Sequence, residues 1–117
     1  MNAKTNYEDL LKKVGIPLTS IGLKEVALSR VDALRAIAML AGGAMCILGG
    51  DVYFRRGDRI DPAYANWYIV QNPSESTKSY IDRSISNAIE YIEGFPKREG
   101  EHPIFVLVVR EEDAQKS

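Results

Sequence analysis

The chain has 117 residues, 45% of them hydrophobic and 26% charged, which suits one soluble domain built around one core and excludes intrinsic disorder. Fifteen Lys and Arg against sixteen Asp and Glu leave a formal net charge of -1, so neither bulk electrostatic binding of nucleic acid nor acidic mimicry of it is expected. One cysteine, Cys46, and one histidine, His102, supply neither an internal disulfide nor a zinc site of the usual Cys and His type; no cofactor is expected either.

The first predicted element is a helix over 6–14. Tyr7, Leu10, Leu11 and Val14 share a face, Thr5 and Glu8 have capping-box spacing, Lys12 and Lys13 suit the negative end of the dipole, and Gly15 and Pro17 end it. The polar stretch Met1 to Leu10 lacks the apolar core of an export signal, and no apolar run reaches the roughly 18 residues of a membrane span, so a cytoplasmic location without membrane association is expected.

A short strand near 24–28 leads to Ser29, a candidate helix cap with Asp32 three residues on. The helix it opens, 30–41, carries Val31, Ala33, Leu34, Ile37, Ala38, Leu40 and Ala41 around most of its circumference, predicting burial on more than one side, with Arg30, Asp32 and Arg35 at a wet edge. Gly42 and Gly43 end it.

Strands over 45–54 and 60–70 flank the charged tip Arg55-Arg56-Gly57-Asp58-Arg59 and read as a β-hairpin. The tip contains the adhesion tripeptide Arg56-Gly57-Asp58, but Gly-Asp is also what a tight hairpin requires. Gly49 and Gly50 within the first strand predict a bulge or a close approach by another backbone. In the second strand, apolar Ala65, Trp67 and Ile69 alternate with Tyr64, Asn66, Tyr68 and Val70.

A helix over 75–93 follows, with Ile81, Ile85, Ala88, Ile89 and Ile92 as its core stripe, and then a strand over 103–109, apolar on both faces as a central strand should be. Residues 111–117 are expected to be a frayed tail. The expected fold is therefore α+β: one domain spanning 1–117, with a small, mainly antiparallel sheet packed by helices.

No catalytic set emerges. His102 reads as a solvated histidine in a charged loop and Cys46 as a buried, inert thiol. Asp51, Asp58 and Asp61 are interleaved with Arg55, Arg56 and Arg59, which favours solvated pairs over a raised-pKa acid. The glycines lack the lysine and hydroxyl pair of a phosphate loop. Five of the ten aromatic residues lie between positions 53 and 68. Phe54 and Trp67 belong to the core, whereas Tyr53 and Tyr68 with Arg55, Arg56 and Arg59 are candidates for a partner-binding surface, since Tyr, Trp and Arg dominate interface anchors.

Several of these segments together resemble an immunity-protein family of bacterial polymorphic toxin systems, the immunity protein 40 type. They are Glu25-Val26-Ala27-Leu28-Ser29 before a helix, Ile47-Leu48-Gly49-Gly50-Asp51-Val52-Tyr53, Asp61-Pro62-Ala63-Tyr64-Ala65-Asn66-Trp67-Tyr68, and Arg83-Ser84-Ile85 within a helix, across about 22–92. The residues that carry the resemblance are Glu25, Gly49, Gly50, Asp51, Tyr53, Asn66, Trp67, Tyr68 and Arg83. The resemblance implies an antitoxin-like, non-enzymatic protein that binds and neutralises a cognate toxin C-terminal domain, with Asp51 and Asn66 fixing the hairpin. Two other readings stay open on the residues alone: a small-molecule or peptide-binding regulatory domain with a cleft near Asp51, Tyr53 and Trp67, and a small enzyme in which Glu25, Asp51 and Arg83 meet in one cleft.

Overall fold

The computed structural model describes residues 2–112. Helix α1 (Ala3–Val14) starts a turn earlier than its capping-box spacing suggests. Its cap is Asn2, whose side-chain oxygen accepts from the Thr5 N–H at 2.8 Å, and Thr5 lies inside the helix. Tyr7 and Leu10 are its buried residues. Gly15 then passes so close to Leu11 and Val26 that any side chain there would collide with them.

The segment after α1 holds two elements with no sequence signal: a two-residue strand β1 (Ile16–Pro17) and a 3₁₀ turn (Thr19–Ile21). Both are too short for any periodicity to reveal. Strand β2 (Val26–Ser29) pairs with β1, and Ser29 then caps helix α2 (Arg30–Leu40), its hydroxyl accepting from Asp32 N–H and donating to the Asp32 carboxylate. Helix α2 buries one face only, through Ala33, Ala36, Ile37 and Leu40; Val31 is 69% exposed, so the expected burial on several sides does not occur. Its Arg30 is no wet edge. The guanidinium reaches across to helix α3 (Thr77–Gly94) and donates to the backbone oxygens of Ile92, Glu93 and Phe95.

Strands β3 (Met45–Arg56) and β4 (Arg59–Tyr68) form the expected hairpin around a two-residue Gly57-Asp58 turn, in which Gly57 has φ 59°. Strand β5 (His102–Glu111) lies between β2 and β3, giving a wholly antiparallel sheet of order β1-β2-β5-β3-β4. Its central position explains its double-sided burial from Pro103 to Leu107, which ends at Val108, 44% exposed. The first two residues of the expected frayed tail are held in place, Glu111 pairing with Met45 and the Glu112 N–H donating to the Ala44 carbonyl; 113–117 lie outside the described residues.

Two irregularities shape the hairpin. Leu48 bulges from the ladder between β3 and β5, and Ala63 and Tyr64 bulge from β4, Tyr64 taking a φ of 55° that a side chain tolerates poorly. Gly49 and Gly50 also satisfy the expected close approach. A Cβ on Gly50 would fall 2.4 Å from the Trp67 ring and 2.4 Å from the Val106 carbonyl oxygen.

Helix α3 is capped by Ser76 and buries Thr77, Tyr80, Ile81, Ser84, Ala88 and Ile92, with Ile85 and Ile89 only partly covered. Ser84 was not apparent as a core residue. Its hydroxyl accepts from the N–H of Ile47, the residue next to the Leu48 bulge, and donates to the Ile81 carbonyl, so the polar group is satisfied in the interior.

The main core lies between the three helices and one face of the sheet, gathering Leu28, Ile47, Val52, Trp67, Phe105 and Leu107 from the strands. On the opposite face, Leu18 with Ile21 and Leu23 covers Ala27, Ile60, Ile104 and Val106. None of the helices is long and apolar enough to cross a membrane, among the described residues.

Candidate functional site

Cover on the second sheet face reaches Ile60 and the edge of Tyr53 near the hairpin tip and thins out along the rest of the β3–β4 half. Residues two apart on a strand share a face, so the register places successive rows there. Tyr53 lies between Ile104 and Pro62, Asp51 between Val106 and Asn66, and Gly49 between Val108 and Tyr68. Among the described residues no α-helix covers these rows. Tyr64 and Tyr68 are 93% and 76% exposed, Val70 is exposed beyond them, and Tyr53 and Asp51 are half-buried.

The Asp51–Asn66 pair forms a ridge between two open depressions. One, about 260 Å³, is bounded by Tyr68 and Val108; the other, about 270 Å³, by Tyr53, Pro62 and Tyr64. The expectation that Asp51 and Asn66 fix the hairpin needs correction. They are cross-strand neighbours, but among the described residues neither side chain has a hydrogen-bond or ion-pair partner. The hairpin is held instead by its backbone ladder, its turn and the packing of Trp67. Burial first, then the carboxylates of Asp51 and Glu25, push the Tyr53 phenol above its ordinary pKa.

The expected binding residues are divided between the two faces. Arg55 shares the face of Tyr53, in a row with Ile60 and the exposed His102, which starts β5 rather than lying in a loop. Arg56 and Arg59 sit opposite one another across the tip on the other face, Arg56 paired with Glu101 at 2.9 Å and Arg59 with Asp61 at 2.9 Å. Phe54 and Trp67 are core residues, as expected. Trp67 is 8% exposed, stacks on Tyr91 at 4.6 Å, and its buried indole N–H has no hydrogen-bond partner among the described residues. The sequence did not mark Val108 as part of the open face; its alternation on β5 is hidden in a continuous apolar run.

Arg83 has a separate, local task. It holds the Glu75 carboxylate through two hydrogen bonds, 2.8 and 2.7 Å, donates to the Val70 carbonyl, and lies over the Tyr80 ring, tying the exit of β4 to the start of α3. Asp51 lines both depressions, whose lining includes neither Glu25 nor Arg83, so the three do not meet in either of them. The Arg83 guanidinium, helped by the Asn72 N–H, holds Glu75 down at about pKa 2 against an ordinary 4.5. A carboxyl depressed on folding stabilises the protein above its unfolded pKa and loses that contribution as pH falls. Stability should therefore decline from about pH 4.5 towards 2 more steeply in the wild type than in Glu75→Gln; parallel acid-unfolding profiles would disprove this role.

A larger cavity, about 550 Å³, lies elsewhere, between residues 41–44 and α3. Its charged lining residues, Lys78 and Asp82, are paired to each other at 2.8 Å. Cys46 is fully buried, and among the described residues no three His, Cys, Asp or Glu side chains are grouped to hold a metal ion.

The model of one protein family, described as Immunity protein 40, matches residues 17–109, which include the whole 22–92 stretch and both sides of the open sheet face. No curated protein and no solved structure matches the chain.

Proposed function

Because this chain belongs to the Immunity protein 40 family, we propose that it neutralises a bacterial toxin domain by binding it stoichiometrically, as the immunity partner in a polymorphic toxin system of the contact-dependent inhibition kind. The partner is the cognate toxin C-terminal domain, met in the cytoplasm of the protected cell. Family membership suggests a protein that acts by binding and not by turnover.

The observation that carries the surface assignment is the bare half of the sheet. Tyr53, Tyr64 and Tyr68 present large, stiff side chains around Asp51 and Asn66 on a face held rigid from behind by the helices. Rigid aromatic groups lose little entropy on binding and serve well as anchors. Two shallow depressions on such a face suit side chains of a partner protein better than they enclose a small molecule, which is ordinarily buried over most of its surface. Arg55 extends the surface towards the hairpin tip, whereas Arg56 and Arg59, on the other face, would meet a partner only if it wrapped around the tip.

The test is co-purification with the C-terminal domain encoded immediately upstream, together with survival of cells expressing that domain. The wild type should form a one-to-one complex and protect. Alanine at Tyr53 and at Tyr68 should each weaken binding, by about 2 kcal/mol for a central anchor. Failure of the wild type to bind and protect would sink the proposal, and unchanged affinity in a folded Tyr53→Ala, Tyr68→Ala double variant would move the interface off this face.

A further inference from the structure

The half-buried carboxylates of this protein follow a pattern. Asp32, Asp61, Glu75, Glu101 and Glu112 each have an arginine within 3.0 Å. Desolvating a carboxylate is costly unless a cation or hydrogen bonds compensate, so such pairing is what a stable fold requires. Among the described residues two half-buried carboxylates have no cation: Asp9, which precedes Lys12 and Lys13 by one helical turn, and Asp51.

Asp51 has no comparable neighbour. Around it on the open face stand Val106, Asn66, Gly49, Val108, Tyr68, Tyr53 and Tyr64. Asp51 and Glu25 both act on the neighbouring Tyr53 phenol as negative charges. The arginines at the two ends of the face are engaged elsewhere: Arg110 with Glu112, and Arg55 with the Gly57 carbonyl. Asn66 is the cross-strand neighbour of Asp51, and among the described residues the Asn66 side chain makes no hydrogen bond.

Resting on the toxin-binding reading above, we infer that this face takes a basic element of the partner protein, which seats an arginine on Asp51. The guanidinium meets the Asp51 carboxylate and the Asn66 amide oxygen, and its aliphatic stem and planar head lie against the tyrosine rings that wall the two depressions. The chemistry selects arginine over a bare ammonium. Its planar fork of donors satisfies a carboxylate and an adjacent amide oxygen together, and it stacks on aromatic faces. The partner's charge supplies what the fold withholds from Asp51, which makes the contact one of charge complementarity.

The test measures affinity for the toxin domain encoded immediately upstream, by calorimetry from 50 to 500 mM NaCl, for the wild type, Asp51→Asn, Asp51→Lys, Glu25→Gln and Glu90→Gln. Asp51→Asn should weaken binding at least about 30-fold, which is about 2 kcal/mol, and Asp51→Lys further. Glu25→Gln should weaken it less. Glu90→Gln removes one negative charge from the exposed side of α3 and should bind as the wild type does. Wild-type affinity should fall with salt more steeply than that of Asp51→Asn. Because Asp51 has no partner among the described residues, its variants should melt with the wild type; should Asp51→Lys fail to fold, Asp51→Asn and Glu25→Gln still decide.

Wild-type affinity in a folded Asp51→Asn variant would overturn this inference and leave toxin binding standing. No binding by the wild type would overturn both. A dimer of the chain alone that Asp51→Lys dissociates would assign the face to a second copy and overturn the arginine reading.

Discussion

Gly50→Ala and Trp67→Ala should be the most damaging single substitutions in the hairpin, each lowering the free energy of unfolding by about 3 kcal/mol or more. The two positions form one packing unit. The Trp67 ring fills the space a Gly50 side chain would need, and Tyr91 of α3 stacks on the same ring. Truncating a buried tryptophan removes the transfer energy of its ring and leaves a cavity, about 3–5 kcal/mol together. The alanine at 50 acts in the opposite sense. Its methyl would meet both the ring and the Val106 carbonyl oxygen, and the latter belongs to the central strand of the sheet and has nowhere to go. Overpacking of this kind costs about 1–3 kcal/mol where neighbours can shift, and more where a backbone must. Urea denaturation of the two variants and of the double variant checks the account. Combining them should cost less than the sum, because losing the ring removes one of the two clashes. Strict additivity would show that the contact is not the cause.

Arg30→Ala should come next, at about 2–3 kcal/mol, although Arg30 is an only partly buried residue on a helix surface. Helix α3 ends at Gly94 without a left-handed cap, and its last carbonyls would otherwise lack partners. The Arg30 fork donates to Ile92, Glu93 and Phe95 together and places a positive charge at the negative end of the helix dipole. Arg30→Lys retains the charge but cannot serve three carbonyls from a single ammonium, so it should recover only part of the loss. Thermal unfolding of the three proteins gives the order. Equal stability of the Lys variant and the wild type would show that charge alone is responsible, and a wild-type melting temperature for Arg30→Ala would remove the clamp from the account.

Both residues show how far the sequence could be read. Trp67 was legible as core because it alternates with Tyr64, Asn66 and Tyr68, and the glycine pair was legible as a bulge or close approach because strands seldom carry such a pair without cause. The partner of Arg30 was not legible. It lies 62 residues away, and an arginine one position after a helix cap looks like any exposed basic residue. Arg83 is similar: the resemblance marked the position, but only the fold shows it holding Glu75 and Val70. The surface arginines were grouped with the tyrosines because they are neighbours in sequence. Strand alternation separates them, leaving Arg55 with Tyr53 and sending Arg56 and Arg59 to the other face.

What the sequence by itself determined is local: the α+β class, the Ser29 cap, the Gly57-Asp58 hairpin, the core stripe of α3 and the centrality of β5. Caps, turns and periodicities act within a few residues of one another. What the tertiary structure decided is the strand order, the presence of β1, the helices' choice of one sheet face, and hence the bare ground around Asp51. Those depend on which elements meet. A bulge at Leu48 or at Ala63-Tyr64 changes a strand's register without leaving any periodic trace, and the half-burial of a carboxylate with no internal cation exists only once the strands beside it are in place.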